Sequence, residues 1–109
     1  MLIDQIITDY DRIWNEQDDV DLCYSELTNQ NYITTVPTWF EQKRNKCKQM
    51  TRTLNDKKQE FNEAIEFLAE VVRPDTRKIY LVSLMTIDER EEIWHWIRTV
   101  YYRYPFAMN

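Results

Sequence analysis

Apolar residues recur at helical spacing over most of the chain, and the longest such pattern covers residues 38–72. Spacings of three and four residues alternate there, as in a heptad repeat whose apolar positions form one seam. The seam consists of Phe40, Lys43, Cys47, Met50, Leu54, Lys57, Phe61, Ala64, Leu68 and Val71. A helical hairpin that turns near Asn55-Asp56 also fits, since Asp56 and Gln59 resemble a capping pair. We favour one long helix, because the chain has no glycine to end a helix there.

A second apolar stripe predicts an amphipathic helix over residues 2–16. Its members are Ile3, Ile6, Ile7, Tyr10, Ile13 and Trp14. Asp18 or Asp19 is suited to cap a short separate helix that runs on to Leu27. The first 28 residues are therefore expected to form two helices.

The last helix has the strongest start signal in the chain. Thr86 and Glu89 have the spacing of a capping box, in which each side chain serves the other residue's backbone. Tyr104-Pro105 is expected to end this helix. Its predicted buried face consists of Ile93, Trp94, Ile97, Val100 and Tyr101.

Two short segments, residues 32–36 and 79–84, are rich in β-branched and aromatic residues and fit strands. Periodicity alone does not separate a buried strand from a buried helical segment at residues 79–85. We expect an all-α domain of three to five helices built around residues 38–72, with at most a minor pair of strands. The length suits a single domain that covers residues 1–109.

The absence of glycine excludes several classes of enzyme. A P-loop, a dinucleotide-binding turn and a nucleophile elbow all need backbone that only glycine provides. His95 is the one histidine, so a zinc site of cysteines and histidines cannot be assembled. We predict no catalytic residue, no metal ligand and no cofactor. The scarcity of glycine, alanine and proline is typical of AT-rich genomes, and it suggests a viral or mobile-element origin.

Cys23 and Cys47 have no metal-binding spacing, and two cysteines do not make a disulfide framework. We predict two reduced thiols, with Cys47 in a core; a single bridge between them is the alternative. No apolar run approaches the roughly 20 residues that span a bilayer, and the first residues lack the features of a signal peptide. The chain is expected in the cytoplasm, of the host if it is viral, without a membrane partner.

Charge is distributed unevenly along a chain whose net charge is −5. Residues 1–30 hold eight acids and one base, whereas residues 31–60 hold seven bases and three acids. Such segments can be complementary within one fold or between two copies. Arg44, Lys48 and Arg52, flanked by Lys46, also form a basic stripe within residues 43–58. It is a candidate nucleic-acid-binding surface.

The final helix and the tail carry a candidate protein-binding surface. Tryptophan, tyrosine and arginine are enriched at binding hot spots. The candidates are Trp96, Arg98, Tyr102, Arg103 and Phe106. The alternative is that several of these rings cover the core of a small domain.

The carboxylates of Glu63, Glu66 and Glu70, with those of Glu89 and Glu92, resemble the ones with which all-helical nucleotide pyrophosphohydrolases hold magnesium. That family's doubled E-E-x-x-E followed by E-x-x-D does not appear here. Our leading hypothesis is therefore a small non-enzymatic protein that binds a partner protein or itself through helix faces. A nucleic-acid-binding accessory protein is second, and a magnesium-dependent hydrolase is third.

Overall fold

A computed structural model describes residues 2–28, 37–73, 85–103 and 106. Within these ranges the fold is all-α, with three helices and no strand. The helices are α1 (Leu2–Thr28), α2 (Pro37–Val72) and α3 (Ile87–Trp96), and α3 continues into one π-helical turn (Ile97–Tyr101). The proposed strand pair at 32–36 and 79–84 lies outside the described residues. The molecule is 63 Å long and 21 × 19 Å across, in keeping with the roughly 54 Å that 36 residues of α2 span.

The first helix is one element, so the predicted break near Asp18 and Asp19 is wrong. Both aspartates are exposed in mid-helix. The buried stripe continues past them at helical spacing through Val20, Cys23 and Leu27, each at most 6% exposed. Because these side chains pack against α2, α1 has an apolar face over its whole length, and a possible cap at residue 18 or 19 is not used.

The second helix is continuous, as we predicted, but its buried face departs from the heptad seam. In the second half, Lys57 and Ala64 are exposed, whereas Lys58 and Ile65 are buried. A straight helix has 3.6 residues per turn and drifts by about 20° per heptad against a repeat of 3.5. Over this helix the drift moves the buried face by one residue.

Helices α1 and α2 run antiparallel. Ile3 near the start of α1 shares a core with Val72 at the end of α2, and Cys23 bonds to Cys47. The third helix covers only one end of this hairpin. We call residues 2–14, 58–73, 85–103 and 106 the three-helix end. We call residues 16–28 and 37–57 the two-helix arm.

The Cys23–Cys47 disulfide clamps the two-helix arm. The two Cα atoms lie 5.8 Å apart, within the range that a disulfide spans. Both residues are buried, Cys47 completely, so its placement in a core is confirmed. The prediction of two reduced thiols is wrong, because the antiparallel hairpin brings the two positions face to face.

At the start of α3 the structure shows the Thr86 half of the predicted capping box, while the Glu89 carboxylate accepts from the Thr86 hydroxyl at 3.3 Å. The Thr86 hydroxyl oxygen accepts a hydrogen bond from the Glu89 backbone N–H at 3.1 Å. The Arg90 guanidinium donates to the carbonyl of Val72 at 3.2 Å and to that of Arg73. These carbonyls lie at the end of α2, where a helix leaves acceptors unpaired, so Arg90 ties α3 to α2.

Candidate protein-binding surface

Of the five predicted protein-binding residues, Phe106 belongs to the core instead, and Trp96 packs against the core in part. Phe106 is only 5% exposed, and Trp96 is half-buried. Their rings surround Tyr10, with centroid distances of 4.7 Å to Phe106 and 5.3 Å to Trp96. The prediction that Phe106 lies on an exposed surface is therefore wrong, whereas Trp96 keeps part of its ring exposed. A small domain needs large rings to fill its core.

Arg98, Tyr102 and Arg103 are exposed, as predicted. Arg98 and Tyr102 share a face of α3 with residues that the sequence did not single out. Spacings of four, three, four and four residues place this set on one side of the helix. We call this set the outer strip; its members are Ile87, Glu91, Trp94, Arg98 and Tyr102. Ile87 is 76% exposed and Tyr102 52%.

Trp94 and Ile87 were missed for different reasons. Trp94 was assigned to the buried face, whereas it is half-buried and packs only in part against the core. Ile87 directly follows the Thr86 cap. At that position the sequence does not show whether an apolar side chain is buried or exposed. The i, i+4, i+7, i+11 spacing from Ile87 to Arg98 was the available signal.

The π-helical turn positions Tyr102, the last residue of the outer strip. The Tyr102 backbone N–H donates to the Ile97 carbonyl at 2.9 Å, five residues back. The Thr99 hydroxyl also donates to the His95 carbonyl. A π turn holds more residues than an α turn, so Tyr102 stays in line with Arg98.

Charge and shape make the middle of the strip a distinct site. The Arg98 guanidinium carbon lies 5.9 Å from the centroid of the Trp94 ring, within range of a cation–π contact. Trp94, His95, Arg98 and Thr99 line a depression of about 370 Å³. This site combines an aromatic face, a cation and space for a side chain.

Behind the strip, α3 is firmly anchored. Ile93 and Ile97 are completely buried. The Tyr101 hydroxyl donates to the Asn62 carbonyl at 3.4 Å. Burial, assisted by the negative charge of Glu66, raises the pKa of Tyr101 to about 12, so the ring stays neutral.

The basic stripe is only partly assembled. Arg44, Lys48 and Arg52 are exposed on the two-helix arm, and Arg44 lies 3.7 Å from Glu41. Lys46 lies on a different face of α2, because a step of two residues from Lys48 turns about 200° around the helix. It lines a groove between α1 and α2 instead.

The acidic and basic segments of the chain meet inside the fold. Lys43 binds Glu26 at 2.5 Å and Lys57 binds Glu16 at 2.8 Å, each across the α1–α2 contact. The hydrogen bond and the charge of Lys43 lower the pKa of Glu26 below its usual value. Of the two arrangements that we considered, complementarity within one fold is thus present.

The carboxylates of the magnesium hypothesis do not converge. Glu63, Glu66 and Glu92 are each exposed, and Glu89 accepts a hydrogen bond from the Thr86 hydroxyl. Among the described residues, no three histidine, cysteine or acidic side chains are grouped to hold a metal ion. No helix within the described ranges is long and apolar enough to cross a membrane.

The outer strip is therefore the candidate site that the described residues assemble most completely. Similarity adds nothing to this picture, since no protein-family model, curated protein or solved structure matches the chain.

Proposed function

We propose that this chain is a small non-enzymatic interaction protein that binds a partner protein through the outer strip of α3. The observation that carries the proposal is the exposure of Ile87 and Tyr102 on the same helix face as Trp94. Exposed apolar side chains that are aligned, and not scattered, are typical of interaction sites. Arginine beside aromatic rings matches the composition of binding hot spots.

Rigidity supports the same proposal. The side of α3 behind the strip is fixed by Ile93, Ile97 and the Arg90 hydrogen bonds to the end of α2. A partner that binds the strip would not have to order this helix first, and that cost commonly reduces affinity. Truncation of Trp94 or Tyr102 should then weaken binding by about 2 kcal/mol, roughly 30-fold.

The proposal is tested with a photo-crosslinking amino acid placed at Tyr102 in extracts of the source cells. The matched control carries the same group at Leu22, which is 59% exposed on α1 and lies outside the strip. We expect a discrete crosslinked protein from position 102 that is absent from position 22. Equal or no crosslinking at the two positions would contradict the proposal.

A second candidate function is nucleic-acid binding through the basic stripe. It is supported by Lys48 and Arg52, which are exposed and have no ion-pair partner among the described residues. With Arg44 they could contact about three phosphates, so affinity should fall roughly 40-fold between 50 and 200 mM salt. Reversal of all three charges should remove the mobility shift of a short duplex. An unchanged shift would reject this candidate.

The expectation of a cytoplasmic location drew on reduced thiols as well as on the lack of a long apolar run and of signal-peptide features. The Cys23–Cys47 disulfide counts against that location, because disulfides rarely persist in a reducing cytosol. Viral or mobile-element origin stays a prediction from composition.

A further inference from the structure

We infer that the outer strip binds a second copy of this chain, as an antiparallel pair of α3 helices about a two-fold axis near residues 94 and 95. The inference rests on the proposed function, because it uses the same surface. It specifies that the partner is this chain itself.

The order of residues along the strip is self-complementary. In a two-fold interface, a contact from one residue to another is repeated in the opposite sense. Antiparallel pairing centred between Trp94 and His95 places Ile87 against Tyr102 of the second copy. The same symmetry places Glu91 against Arg98 of the second copy. Apolar side chains thus meet at both ends, and opposite charges meet between the ends and the centre.

Glu91 and Arg98 are not placed to satisfy each other within one chain. They are seven residues apart, or about 10 Å along the helix axis, and both are exposed. In the pair they form two symmetric acid–base contacts. The depression beside Trp94 lies at the centre and offers about 370 Å³ to the side chain that enters from the other copy.

The exposed face of α1 is not self-complementary. Eight acids against one base in residues 1–30 mean that a two-fold contact along its exposed face brings acids together. Leu22 and Trp14 are exposed there, but their surroundings repel a second copy. Charge therefore selects α3 over α1 as the surface for self-association.

The dimer should be weak. From Ile87 to Tyr102 the strip is about 22 Å long, and a contact of that length between two helices is at the low end of specific interfaces. We expect a dissociation constant of about 10–100 μM.

The test is sedimentation velocity of the intact, disulfide-bonded chain from about 5 to 500 μM. The wild-type mass should rise from 13.5 kDa towards twice that value. Glu91→Arg and Arg98→Glu each place like charges opposite each other, so each variant alone should dimerise at least about 10-fold more weakly. An equimolar mixture should recover the dimer, because one chain then carries two arginines and the other two glutamates at these positions. Arg52→Glu, a charge reversal outside the strip, is the matched control and should behave as wild type.

Recovery in the mixture separates an interface from a folding defect, since two misfolded chains do not restore each other. Ile87→Glu gives a second measurement. Its side chain is 76% exposed, so the fold should persist while the dimer is lost. A wild-type chain that stays monomeric at 500 μM, or charge reversals without effect, would overturn the inference. The proposed function would survive that result if position 102 still crosslinks a different protein.

Discussion

The two ends of the molecule hold their helices together by different means. The three-helix end buries large side chains completely, among them Ile65, Ile93 and Ile97. The two-helix arm has a small cluster around Cys23, Leu27 and Cys47, and a disulfide with inter-helix ion pairs supports it. At the three-helix end, the described helices are held together by apolar burial. In the described part of the two-helix arm, a covalent bond and ion pairs between α1 and α2 add to a small apolar cluster.

Lys58 lies at the boundary between the three-helix end and the two-helix arm. It is 5% exposed and is the one buried charged residue among those described. Its Nζ donates to Gln17 Oε1 at 2.5 Å. Burial lowers the pKa of Lys58, and the negative charge of Asp21 opposes that shift in part. The boundary between the two ends thus holds a buried cation, whose charged form burial disfavours.

The largest effect is expected from the three-helix end. Ile93→Ala removes a completely buried side chain and should lower the free energy of unfolding by about 4 kcal/mol. Urea denaturation followed by circular dichroism measures it. Leu22→Ala, at a side chain that is 59% exposed, is the control and should change stability by less than about 0.5 kcal/mol. Equal losses from both would mean that the core is not where we place it.

Loss of the disulfide should come next. The bond closes a loop between residues 24 positions apart, and the chain-entropy model assigns it about 3.5 kcal/mol. In Cys23→Ser/Cys47→Ser, backbone amides of the two-helix arm should lose hydrogen-exchange protection before those of α3. Uniform loss of protection along the chain would contradict the view that the two ends are stabilised by different means.

Replacement of Lys58 should change stability in the opposite direction. Lys58→Met removes a buried cation, so the free energy of unfolding should rise by about 1 kcal/mol at pH 7. Because the pKa of Lys58 is lower in the folded chain, the folded state binds fewer protons, and wild-type stability rises as pH approaches 10.5. The difference in the free energy of unfolding between Lys58→Met and the wild type should therefore narrow from pH 7 to pH 10. Exposed Lys48→Met is the control, and a gap independent of pH would contradict the assignment.

The smallest effect should follow loss of an ion pair in the arm. Lys57 and Glu16 are partly exposed at 2.8 Å, so Lys57→Met should cost about 0.5 kcal/mol at low salt. In about 1 M sodium chloride the difference should vanish, because salt screens such pairs. A cost that persists at high salt would show that Lys57 acts by packing. Thermal melts at the two salt concentrations measure this.

Local features of the fold were predictable from the sequence, whereas pairings between helices were not. The Thr86 cap and the continuity of α2 depend on neighbouring residues, and both were predicted. The burial of Lys58 in place of Lys57 follows from the drift of a straight helix against the heptad repeat. The Cys23–Cys47 bond depends instead on which residues of α1 face α2. Periodicity within one helix contains no such information.

The candidate site divides in the same way. Arg98 and Tyr102 follow from the composition of the last helix. The burial of Phe106 depends on Tyr10 and Phe61, which come from two other helices. The exposure of Ile87 could only be judged once the packing of α3 was known.

The disulfide also turns residues 23–47 into a closed covalent ring. A protease that cuts any peptide bond between Cys23 and Cys47 opens the ring without dividing the molecule. The two products would migrate as one species until a reductant separates them. Protein isolated from its native source can therefore be digested and analysed with and without reductant. The comparison would show whether the Cys23–Cys47 disulfide is formed in that source.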